Sequence, residues 1–155
     1  MSADIRIRDT RPSDEADWRR LWAGYLEFYE SSVPAEVADT TWRRILDPEA
    51  PLLGRVAELD GAVVGISNCV LHHSTWLTGP VCYLEDLFVD PAHRGAGAGR
   101  LLLQDLVDLG HVRGWARIHW LTAHGNPARR LYDEFIPADE FVHYELDLPT
   151  RQDGA

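Results

Sequence analysis

The sequence predicts an α+β domain: a central, mostly antiparallel mixed sheet flanked by helices in a three-layer α/β arrangement. Three observations carry that prediction. Two β-branched or apolar runs, 52–59 and 62–71, are separated by Asp60-Gly61 alone, the pair that suits a two-residue type I′ hairpin. A third run, Val81 to Val89, is followed at once by a glycine-rich loop and a helical pattern. The chain is 155 residues long, 45% hydrophobic and 26% charged, which suits one domain able to bury roughly two-thirds of its unfolded surface.

Each element has a local cause. Ile5 to Arg8 alternates as a short strand, and Asp9-Thr10-Arg11-Pro12-Ser13-Asp14 supplies turn and capping residues for a helix. In that helix Trp18, Trp22, Tyr25 and Tyr29 recur at spacings of four, three and four, an aromatic stripe on one face. Val33-Pro34 breaks it, and a second helix runs to Leu46, before Asp47-Pro48. After the hairpin and the Val81 strand, Arg100 to His111 is helical and 115–122 alternates as a strand. Asn126 and Pro127 open a helix through Phe135, and Phe141 to Leu148 alternates as the last strand. The expected organisation is a single domain, 1–149, with a loose tail, 150–155.

Charge and composition remove several function classes. Fifteen basic against 25 acidic residues give a formal net charge of −10, which disfavours nucleic acid or an anionic membrane as partner and favours a cationic one. All the basic residues are Arg, so Lys nucleophiles and Schiff bases are excluded. The two cysteines, Cys69 and Cys82, lie in apolar runs, so a reducing cytoplasm is expected and a disulfide framework is not. No stretch is apolar enough to span a membrane, and the start has no signal-peptide core. The seven histidines form no metal-binding spacing, so no metal is expected, and no G-x-S-x-G elbow is present.

The loop Arg94-Gly95-Ala96-Gly97-Ala98-Gly99 places three glycines between a strand end and a helix start. Amide N–H groups there can converge on an anion at the positive end of the helix dipole. A pyrophosphate suits such a cradle; a tight turn with no ligand is the alternative. The Walker loop needs Lys, and Gly95-x-Gly97-x-Gly99 lacks the dinucleotide spacing.

This loop resembles the acetyl-CoA-binding R-x-x-G-x-G/A signature of the GNAT (GCN5-related) N-acetyltransferases. Tyr83-Leu84-Glu85-Asp86-Leu87-Phe88-Val89 and Asn126-Pro127-Ala128-Arg129-Arg130-Leu131-Tyr132 resemble further motifs of that family in the right order. With Trp76 upstream, the chain is most similar to the diamine (spermidine/spermine) acetyltransferase branch, although Glu140-Phe141 stands where the branch commonly has Gly-Phe before its final strand. The resemblance implies an acyltransferase that moves an acetyl group from acetyl-CoA to a primary amine, without metal, by direct attack in a ternary complex.

A typical alkylamine with a pKa of about 10.4 is protonated at pH 7, and freeing it costs roughly 4–5 kcal/mol, so a base is needed. The resemblance assigns Glu85 to that role, through water, with Asp86 structural or orienting the substrate. Period-two alternation places Glu85, Leu87 and Val89 on one face and Leu84, Asp86 and Phe88 on the other. Tyr132 would donate a proton to the leaving thiolate. Backbone groups of Leu87, Phe88 and Val89 would hold pantetheine. Arg94, Gly95, Ala96, Gly97, Ala98, Gly99 and Arg100 would hold pyrophosphate, with Asn126 and Arg129 near the pantetheine arm or the adenosine end. Trp22, Tyr25, Glu27, Tyr29, Glu30 and Trp76 either line a slot for a cationic amine or serve core and surface.

The expected partner is a small-molecule amine in the cytoplasm, with a homodimer as assembly. The alternatives are an amino-acid or protein Lys/N-terminal acceptor, and a non-catalytic acyl-CoA-binding regulatory module.

Overall fold

The structure is a computed structural model that describes residues 4–149. One compact unit ends at Leu121 and a second begins at Thr122. The tail expected at 150–155 lies outside the described residues.

The first unit holds β1 (Ile5–Asp9), α1 (Glu15–Phe28), α2 (Ala35–Leu46), β2 (Leu52–Leu59), β3 (Ala62–His72), β4 (Val81–Val89), α3 (Ala98–Arg113) and β5 (Arg117–Trp120). Its sheet runs in chain order, β1-β2-β3-β4-β5. The first three pairings are antiparallel and β4–β5 is parallel. The β2–β3 turn has positive φ at both Asp60 (51°) and Gly61 (81°), as a type I′ turn demands.

Successive strand residues face opposite sides, and helices cover both. Val56, Val63, Ile66 and Phe88 pack with Trp18 and Leu21 of α1 and Trp42 of α2. The adjacent Ala57 and Val64 pack with Ala98 and Leu102 of α3. Three layers therefore follow from two-fold strand periodicity meeting two sets of amphipathic helices. Arg55 ties the sheet to α3, bonding Asp105 twice at 2.8 Å, and joins β2 to β1 through Asp9 at 2.6 Å. Arg8 grips Asp14 with two bonds, of 2.8 and 2.9 Å, and reaches Glu58 at 2.7 Å.

Two irregularities shape the site. Asn68 pairs with Asp86 and Cys69 with Leu84, leaving Glu85 as an extra residue, a β-bulge. Consecutive Asn68 and Cys69 face opposite sides, so their partners Asp86 and Leu84 do too. Leu84 therefore leaves the face it was expected to share with Asp86. The second irregularity is a split: β5 pairs with β4 only from Val81 to Leu84, so the outer edge of β4 beyond the bulge has no strand beside it in this unit.

In the second unit the Asn126 side chain accepts the Ala128 N–H at 3.0 Å, and α4 follows from Arg129 to Phe135. The last strand expected from Phe141 to Leu148 is not formed: those residues have no ladder, and Phe141, Tyr144 and Leu146 are exposed. Alternation provides a face to bury, but a strand also needs a partner.

Candidate active site

The β4–α3 connection carries the glycine loop. Gly95 and Gly97 have φ of 87° and 92°, and a Cβ at either would meet nothing within 4 Å. Glycine is thus required by backbone conformation, not to avoid a neighbouring wall. Gly97 caps α3 in the left-handed conformation, and its carbonyl accepts the Leu101 N–H at 3.0 Å. Amides of an exposed, side-chain-free turn at the start of a 16-residue helix fit the chemistry of an anionic diphosphate.

Neighbouring side chains show which atoms remain for a ligand. Leu87, Val89 and Ala98 turn their side chains into the α3-face cluster, so their backbones alone are available. Phe88 belongs to the opposite cluster. The Arg94 guanidinium carbon lies 5.7 Å from the Phe28 ring centre and 5.5 Å from that of Phe88, and Arg94 Nε donates to the Val89 carbonyl at 3.3 Å. Ala96 and Arg100 are exposed.

The α1 face of β4 holds the aromatic stripe. Trp18 and Trp22 stack at 5.8 Å, Trp22 and Tyr25 at 5.5 Å, and Tyr25 meets Tyr29 at 4.9 Å. The stripe is divided along its length: Trp18 is fully buried, Tyr29 is 38% exposed, and Trp22 and Tyr25 lie between. It is core at one end and surface at the other. The Trp22 indole nitrogen is buried without a partner among the described residues.

The Tyr25 hydroxyl reaches the Glu85 carbonyl oxygen at 3.4 Å and also bonds the Asp86 carboxylate, while burial and that carboxylate push the Tyr25 pKa up. Glu85 is exposed. Asp86 is buried, and its pKa is raised to about 6 by desolvation, against hydrogen bonds from Asn68 and Tyr25 that lower it and Glu85 that raises it. Asn68 Nδ2 donates to Asp86 at 3.2 Å, and Trp18 Nε1 donates to Asn68 Oδ1 at 3.2 Å. Asn68 was missed in the sequence; its signal was a polar amide inside an apolar strand.

A separate cavity of about 380 Å³ is lined by Arg20, Gly24, Glu27, Phe28, Phe88, Asp90 and Arg94, among others, and Tyr25, Glu85 and Asp86 are not in its lining. Glu27 thus lines a cavity apart from Trp22, Tyr25 and Tyr29, with which it was expected to form one slot, and Trp76 is 87% exposed in the β3–β4 loop. In the second unit Tyr132 lies half-buried on α4, Asn126 Nδ2 donates to Thr122 Oγ1 at 2.8 Å, and Arg129 donates to the His124 carbonyl at 2.8 Å. Among the described residues no group of three His, Cys, Asp or Glu is placed to hold a metal ion, and no helix is long and apolar enough to cross a membrane.

Comparison with known proteins gives the same class. The acetyltransferase (GNAT) family matches residues 16–135. A D-amino-acid N-acetyltransferase of Saccharomyces cerevisiae is 32% identical, covering 91% of this chain and 89% of its own. A thialysine N-epsilon-acetyltransferase of Mus musculus is 30% identical over 98% and 94% respectively. In fold, a possible acetyltransferase from Clostridium difficile 630 superposes with a TM-score of 0.81 at 16% identity, covering 94% of this chain and 99% of its own. The chain belongs to the GNAT acetyltransferase family and is an N-acetyltransferase. Acetyl-CoA is the co-substrate on which that family works.

Proposed function

We propose that the protein acetylates a primary amine on a small cationic molecule. The observation that carries this reading is the buried Asp86 carboxylate held against Tyr25 of the aromatic stripe, directly beside the bulge at Glu85. Carboxylate and π faces both attract an ammonium group. Acetyl-CoA supplies the activated acetyl group, and the amides of 95–99 with the backbone edge of Leu87–Val89 are the groups proposed to hold it. Glu85 is proposed to take the amine's proton through water, and its exposure suits a relay by solvent. Tyr132, the tyrosine of the third motif, is proposed to give its hydroxyl proton to the departing thiolate, so that the coenzyme leaves as the thiol.

A second reading is supported by two of the relatives, which are named for acting on amino acids. The cavity presents Arg94 and Glu27 beside the Arg20–Asp90 ion pair of 2.7 Å, a mixture of signs that suits a zwitterion better than a polyamine. A cytoplasmic homodimer belongs to the proposal as well. The buried, free thiols of Cys69 and Cys82 suit a reducing compartment, and equilibrium sedimentation tests the assembly.

The deciding experiment measures acetyl-CoA-dependent thiol release with spermidine, putrescine, thialysine, D- and L-amino acids and basic peptides. Turnover of spermidine or putrescine is expected. Turnover of neutral amino acids alone would replace the cationic-amine reading with the amino-acid one. Silence across the panel with acetyl-CoA bound would point to an amine acceptor outside the panel.

A further inference from the structure

We infer that Asn68 is a positioning residue for the acceptor site, pinned by Trp18 so that its amide N–H holds the Asp86 carboxylate charged and in place beside Tyr25. The inference deepens the cationic-amine reading and rests on it. It starts from donor and acceptor chemistry. An indole N–H can only donate, so the Trp18 bond of 3.2 Å fixes the oxygen of the Asn68 amide on the α1 side. The Asn68 NH₂ must then be the group facing Asp86, also at 3.2 Å. Trp18 is fully buried, Asn68 is 5% exposed and Asp86 9%, so water does not readily substitute for any of the three.

The bulge makes this contact possible. Because Glu85 is the extra residue of β4, Asp86 falls opposite Asn68 and on the same face. Without the extra residue, Glu85 would pair with Asn68.

A buried carboxylate tends to neutralise itself, and a neutral Asp86 has no Coulombic attraction for an ammonium group. The titratable groups acting on it are Tyr25 of α1 and Glu85 of β4; on β3 it is Asn68 that faces it, and the thiol of Cys69 lies on the opposite side of the sheet. Glu85 disfavours its charge. The two groups that favour it are Asn68 and Tyr25; Tyr25 also serves the bulge carbonyl, whereas Asn68 Nδ2 serves the carboxylate.

The test compares wild type, Asn68→Leu and Asn68→Asp. One readout is the pH dependence of kcat/KM for spermidine and for thialysine; the other is the ¹³C NMR titration of the Asp86 carboxyl. Removing a hydrogen bond to a charged group is expected to raise the Asp86 titration, and with it the acidic limb of kcat/KM for the acceptor, by about one pH unit. KM for acetyl-CoA should not move. Asn68→Asp keeps an acceptor for Trp18 and preserves volume, so it remains informative if the Leu variant does not fold; two facing carboxylates should shift the limb further upward. An Asp86 titration and an acidic limb unchanged in a folded variant would overturn the inference, as would a uniform loss of rate at every pH. Wild-type turnover tests the N-acetyltransferase reading separately.

Discussion

Glu85 and Asp86 are neighbours in sequence with different chemistry: Glu85 is the extra residue of the bulge, while Asp86 pairs with Asn68 of β3. Asp86 is desolvated under Tyr25, while Glu85 stays in solvent. Glu85→Gln is therefore expected to lower kcat and to change the acidic limb of its pH profile, the limb that reports groups titrating in the substrate complex; an identical profile would remove Glu85 from the base role. For Tyr132→Phe the expectation is a kcat about 10²-fold lower with acetyl-CoA affinity nearly intact, measured by isothermal titration. Lost affinity would mean that the hydroxyl serves binding instead. At this scale the motif residues were legible because their chemistry is written in residue type. Asn68 was not, since its role depends on which strand residue falls opposite it, and a bulge decides that.

At the scale of elements, the glycine loop was legible from its three glycines between a strand end and a helix start, and the structure adds a constraint that spacing does not show, a φ near +90° at Gly95 and Gly97. Gly97→Val is thus expected to lower stability by about 1–2 kcal/mol through left-handed strain, and to weaken acetyl-CoA binding because the strain is relieved by moving the amides. Thermal melting and acetyl-CoA titration of the same variant check both halves; unchanged affinity would refute the diphosphate assignment. The hairpin, α1, α2 and β4 were legible because capping residues, turn pairs and periodicity act within one segment. The Glu85 bulge, the early end of β5 and the missing ladder from Phe141 to Leu148 depend on pairing between segments, which period-two alternation does not encode.

At the scale of the molecule, two buried carboxylates tilt stability in opposite directions with pH. Asp14 is held below its usual value: burial raises it, but bonds from Arg8 and from the Arg11 N–H outweigh that, so its stabilisation is present above the unfolded pKa and lost as pH falls through the folded one. Asp86 has the reverse sign. Its folded pKa of about 6 lies above the unfolded value near 3.8, so the native state holds more protons between them and stability falls as pH rises through that window, by roughly 1–3 kcal/mol. A net charge of −10 at pH 7 adds self-repulsion that also weakens toward acid. The melting temperature of the wild type is therefore expected to be higher at pH 5 than at pH 8. Asp86→Asn should raise the pH 8 value and narrow the gap while reducing acceptor affinity, since the charge that costs stability is the one proposed to attract the amine. Added salt separates the two contributions: at pH 8 it screens the surface charges but barely touches a buried carboxylate. If the Asn variant keeps the wild-type gap, and salt alone closes it, the pH dependence belongs to the acidic surface and not to Asp86.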